Sequence, residues 1–149
     1  MALNRDFVGR TYPAPGSYEV SRVKIKEFAA AIGDRDPAYR DPEAARALGH
    51  PDVVAPPTFP IVFTLAGTGD ILEDPELGLD FTMVVHGEQR FEYTRPIYAG
   101  DELLCSSTVI EIRSVGRNEF LTLRSDVTTL DGEHVCTTYN TLVERGGAA

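Results

Sequence analysis

Two carboxylates and a phenol sit close together in Gly33-Asp34-Arg35-Asp36-Pro37-Ala38-Tyr39. Groups of these types can move protons: an ionised carboxylate takes one, and a neutral phenol gives one. Asp34 and Tyr39 are therefore the candidate catalytic residues, and Asp36 is a candidate substrate contact. The phenol is the weak member. Its ordinary pKa of about 10 keeps it protonated at neutral pH, whereas imidazole titrates near about 6.5. Lowering a tyrosine by three units needs roughly 4 kcal/mol of local stabilisation. A turn that also carries Asp34, Asp36 and Asp41 is the wrong environment for that. Each residue also has a simpler use. Asp34 follows a helix stop, Asp36 can start a turn ahead of Pro37, and Tyr39 can pack under the loop.

The other reactive side chains are scattered. His50 follows Gly49 and reads as a surface histidine, while His134 stands beside a hairpin turn and reads as solvent-facing. His86 opens a strand; it reads first as a hydrogen-bonded structural histidine and second as a substrate contact. Three dispersed histidines and two distant cysteines give no metal-ligand spacing, so neither metal nor cofactor is expected. Gly67-x-Gly69 is too short for a phosphate loop. Cys105 and Cys136 fall in strand-like patterns; two reduced core thiols are expected, with a single disulfide as the alternative. A formal charge of −9 argues against nucleic acid. No apolar run approaches a membrane span, and Met1 to Phe7 does not read as a secretory signal. The cytoplasm is the default expectation.

These residues need a frame, and the chain's 149 residues suit one domain with a core of sheet and helix. A first helix is expected over Val23 to Ile32, with Val23, Phe28, Ala31 and Ile32 as its apolar stripe and Gly33 as its stop. A short second helix should start at Pro42 behind an Asp41 cap and leave through Gly49. Val53 to Pro57 should be extended. Thr58 or Phe59 should then open a third helix whose run Ile61 to Ala66 has no polar face and should be buried, fraying near Gly67 and Gly69. From Met83 the pattern turns to strands, expected at Val84 to Arg95, Glu102 to Val115, Glu119 to Leu130 and Glu133 to Glu144. Asp131-Gly132 marks a hairpin. Only Gly146-Gly147-Ala148-Ala149 reads as a free tail. A buried helix ahead of an antiparallel meander makes an α+β protein whose sheet wraps the helix, the hot-dog arrangement.

The stretch from Gly33 to Tyr39 resembles the Gly-Asp-x-Asn-Pro-(Ile/Leu/Val)-His signature of (R)-specific enoyl hydratases and MaoC-like dehydratases. Asp34 matches the Asp, Asp36 stands at the Asn, and Tyr39 stands at the His. His86-Gly87-Glu88-Gln89-Arg90-Phe91-Glu92-Tyr93, followed by Arg95-Pro96 and Gly100-Asp101, is similar to the family's Arg-Pro then Gly-Asp pattern. Val54 to Pro60 resembles the lead-in to its central helix, and Asp126 to Val143 its closing hairpin. The match runs from about Phe7 to Arg145. It is most similar to subunits of mycobacterial (3R)-hydroxyacyl-carrier-protein dehydratase, in which one subunit carries Asp and His and its dimer partner lacks the full pair and helps hold the acyl chain.

That resemblance implies a hot-dog subunit of a dehydratase acting on acyl-CoA or acyl carrier protein. It would pair with a His-bearing paralogous subunit, or with itself. The main-chain N–H groups of Thr58 and Phe59, at the central helix start, would face the thioester carbonyl. The alternatives are a homodimeric hydratase acting through Asp34 and Tyr39, and a non-catalytic acyl-thioester binding module. A hot-dog thioesterase fits less well. It wants a carboxylate or Asn on the central helix, and Thr58 to Gly69 has none.

Overall fold

A computed structural model describes residues 2–147, so Met1, Ala148 and Ala149 of the expected ends lie outside the described residues. Strands β1 (Thr11–Tyr12) and β2 (Tyr18–Glu19) come first, then helices α1 (Arg22–Ala31) and α2 (Pro42–Ala47). Short helices α3 (Ile61–Thr64) and α4 (Gly69–Leu72) follow, joined by a 3-10 turn over Ala66–Thr68. The long strands are β3 (Val84–Tyr93), β4 (Glu102–Val115), β5 (Asn118–Thr129) and β6 (His134–Glu144). They make one antiparallel sheet in the order β1-β4-β5-β6-β3, with β2 also on β4.

The four long strands begin and end within two residues of their expected limits, and along β4 and β5 side chains alternate in and out. Leu121, Leu123, Ser125 and Val127 are buried on β5 while their neighbours are half-buried. One end of the inner face packs with Ile25, Phe59 and Phe63; the other packs with Phe7, Ile71 and Leu77. Between them runs a buried polar row, Ser107 opposite Ser125 opposite Thr138. The Ser107 and Ser125 hydroxyls are hydrogen-bonded at 2.8 Å, which satisfies groups that burial would otherwise penalise.

Three expectations need correction. The buried face of α1 is Ile25 and Ala29 with half-buried Phe28, while Val23 is 74% and Ile32 50% exposed. The true stripe follows the i, i+3, i+4 spacing, and Ser21 caps the helix through the amide of Lys24. The apolar run Ile61 to Ala66 is not buried all round. Phe63 and Thr64 face the core, Ile61 and Val62 are half-buried, and Leu65 and Ala66 are exposed. Nor is the tail free up to Gly147, since the amide of Gly146 donates to Asn118 Oδ1 at 3.1 Å and Gly147 is buried.

The sheet has an open side. Strand β3 pairs with β6 alone, leaving its other edge without a partner among the described residues. A bulge at Gly87 breaks its register between His86 and Glu88. A Cβ at Gly87 would lie 2.9 Å from Val143 Cγ2 and 3.2 Å from the Thr141 carbonyl, so only glycine fits. At mid-strand, the buried amide nitrogen and oxygen of Gln89 have no hydrogen-bond partner.

Candidate functional site

Helix α1 ends where Gly33 takes a φ of +75°, a conformation glycine adopts without strain. The chain then folds into two nested side-chain turns. Asp34 Oδ1 accepts from the amide of Asp36 at 3.1 Å, and Asp36 Oδ1 accepts from that of Ala38 at 2.9 Å. Arg40 closes the loop by donating to the Asp34 carbonyl at 2.8 Å. Buried Ala38 packs with Ala45 and Val54, and its carbonyl accepts from the amide of Val54, docking the acidic turn on the extended segment before α3.

A cleft of about 420 Å³ opens beside this turn. Asp36 and Tyr39 form one wall, Leu48 and His50 a second, Val54, Ala55 and Pro57 a third. The end of β3 and the segment after it, Tyr93 to Pro96, close the far side. Tyr93 fixes that side to the Pro57 carbonyl through a 2.6 Å hydrogen bond from its hydroxyl. The lining is mostly apolar with a few polar groups, the usual character of a small-molecule site.

The expected site residues divide. Asp36 and Tyr39 line the cleft; Asp34, Thr58, Phe59 and His86 do not. Asp34 is half-buried behind the wall, with one carboxylate oxygen committed to the turn. Phe59 is a core residue, its ring edge-on to Phe28 at 5.5 Å, and its amide donates to the Pro56 carbonyl at 2.9 Å. Of the two amides expected to meet a carbonyl, that of Thr58 alone makes no hydrogen bond among the described residues. His86 is exposed on β3 beside the bulge.

Tyr39 behaves as the charge pattern predicts. Burial pushes its phenol above the ordinary value, and the negative charges of Asp34 and then Asp36 push the same way. It stays a neutral donor at physiological pH.

His50 was not singled out by its sequence context. The structure finds it half-buried in the cleft wall, 3.4 Å from the Tyr98 hydroxyl through Nδ1. Tyr98 is itself held, since its amide donates to Asp101 Oδ2 at 2.9 Å. Arg95 grips Asp101 with two hydrogen bonds of 2.9 and 3.0 Å and reaches Glu133 at 2.6 Å. These bonds, Asp101 first, hold the Arg95 guanidinium above its ordinary value. Any sequence signal for His50 lay in the Arg-Pro then Gly-Asp pattern that fixes its neighbour.

Cys105 and Cys136 are unpaired and buried. On the sheet Val127 stands opposite both, so a whole strand separates them. Among the described residues, no group of His, Cys, Asp and Glu could hold a metal ion, and no helix is long and apolar enough to cross a membrane.

Comparison with known proteins covers nearly the whole chain. The family described as FAS1-like, dehydratase domain region, matches residues 6–138. A UPF0336 protein of Thermobifida fusca is 55% identical over 99% of this chain and 97% of its own. The solved C-terminally truncated HadBC (3R-hydroxyacyl-ACP dehydratase) complex of Mycobacterium tuberculosis contains a similar chain. The two superpose with a TM-score of 0.85 at 30% identity, over 95% of this chain and 99% of that one. A structure described as a MaoC-like dehydratase gives a TM-score of 0.87 at 34% identity; it covers 93% of this chain, which spans 42% of that longer one.

Proposed function

Because this chain belongs to the FAS1-like family of MaoC-type hot-dog dehydratase domains, we propose that it is one subunit of a dehydratase. The enzyme adds water to, or removes it from, an acyl thioester, and a second hot-dog subunit supplies the Asp and His that turn substrate over. The carrying observation is Tyr39, a phenol kept protonated by burial and two carboxylates where the family signature has imidazole. An apolar cleft beside a glycine-ended helix and the turn that follows it supports this reading.

Two surfaces support an assembled state. The free edge of β3 leaves a row of backbone N–H and C=O groups that a partner's strand could meet. Leu65 and Ala66 leave part of the central segment uncovered. The HadBC relative is a complex of two subunit types. A charge of −9 disfavours contact with an acidic carrier protein, so the partner subunit would receive such a carrier.

The test is crotonyl-CoA hydration by the purified chain, alone and co-expressed with a paralogue bearing the Asp–His signature. A rate near background alone, raised by orders of magnitude in the pair, supports the proposal. Strong turnover by the isolated chain, abolished by Asp34→Ala, overturns it. Thermal stabilisation by acyl-CoA without turnover in any pairing would point to a binding module instead.

A further inference from the structure

We propose that His50 serves as a proton-accepting catalytic residue in this chain's own cleft, giving it a slow hydration activity that does not depend on the partner's imidazole. The inference rests on reading the cleft as an acyl-thioester site. Its ground is the way the side chain is held. A working imidazole needs one nitrogen fixed by a neighbour and the other free to face substrate. Nδ1 of His50 lies against the Tyr98 hydroxyl, and Nε2 makes no hydrogen bond among the described residues. The support behind it is rigid: Asp101 holds the Tyr98 amide, and Arg95 holds Asp101. Around the turn after α2, the His50 amide donates to the Ala45 carbonyl at 3.1 Å, which fixes the backbone as well.

The same cleft brings Tyr39 and Asp36 together with this imidazole, so an acceptor and a neutral donor share one apolar hollow. The step balances without any added reactant. His50 Nε2 takes a proton from a water whose oxygen bonds to C3 of the 2-enoyl thioester. The electron pair of the C2–C3 double bond moves towards the thioester carbonyl, and C2 then receives the Tyr39 hydroxyl proton. Imidazolium and phenolate return to neutral by exchange with solvent. Dehydration is the reverse. The charged and titratable groups facing His50 are Asp36 and Tyr39 from the acidic turn, Tyr93 and Arg95 from the end of β3 and beyond, and Tyr98. On its own segment, Arg46 and Asp52 lie nearest in sequence.

The experiment uses the purified full chain with crotonyl-CoA. Wild type should show a slow rate above the enzyme-free blank. His50→Gln should lose about a hundredfold in kcat and keep thermal stabilisation by crotonyl-CoA. Tyr98→Phe, which removes the orienting hydroxyl, should lower kcat while leaving KM unchanged. A wild-type rate equal to the blank overturns the proposal, as does a His50→Gln rate equal to wild type. Co-expression with the Asp–His paralogue separates the two ideas. Turnover in the pair, together with no His50 effect in the isolated chain, removes this inference alone; no turnover and no acyl-CoA binding in either form removes the dehydratase reading beneath it.

Discussion

Replacing Asp101 with alanine should loosen the whole far side of the cleft. Its carboxylate accepts from Arg95 Nη1 and Nη2 and from the Tyr98 amide at 2.9, 3.0 and 2.9 Å, with the Arg95 and Asp101 side chains 24% and 15% exposed. A hydrogen bond to a charged group contributes about 1.5–3 kcal/mol, and removing one partner of a fully buried ion pair costs about 3–5 kcal/mol. Arg95 keeps Glu133 at 2.6 Å and some contact with water. Allowing for that, the expected loss is about 2–3 kcal/mol. At about 2–4 °C per kcal/mol for a chain of this size, Tm should fall by roughly 5–10 °C. Scanning calorimetry of wild type, Asp101→Ala and Asp101→Asn measures it. The asparagine variant should fall between the other two, because its oxygen can still accept from the Tyr98 amide. A drop under about 2 °C for alanine would refute the view that this clamp holds the cleft wall.

Tyr39→His should give the isolated chain measurable crotonyl-CoA hydration beyond its wild-type rate; a folded variant with no gain would show that Asp34 cannot act in concert with position 39. Acid stability follows from Asp52, Asp80 and Asp131, held low chiefly by hydrogen bonds from Arg22, Thr82 and Thr129 respectively. A carboxylate with a depressed folded value stabilises the fold above its unfolded pKa of about 3.9 and loses that contribution as pH falls through the folded value. Urea midpoints should therefore fall as pH drops below about 4, less steeply in Asp52→Asn; a midpoint that rises on acidification would contradict this.

What the sequence made legible tracks the range of the forces involved. Strands β3 to β6 were readable because long runs of β-branched and aromatic residues are set apart by turn residues, and on β4 and β5 alternation also reports which face is buried. Strands β1 and β2 have two residues each, and their pairing partners lie on β4, far along the chain. The α1 stripe was misplaced because hydrophobic residues such as Val23 and Ile32 stand outside its packed face. The turn geometry of Asp34 and Asp36 was legible, being made of bonds two residues apart. Which of the two faces the cleft was not, since that depends on Ala38 docking against Val54. His50 carries no local periodicity; a contact 48 residues away places it.

The unmatched flank of β3 also bears on how the protein is made. Ten residues of extended backbone without a proline, exposed along one side, are a template for stray strand pairing. A chain synthesised in excess of whatever covers that flank is prone to aggregate or be degraded. If the proposed second subunit covers that flank, the best recombinant yields should come from the two chains translated together.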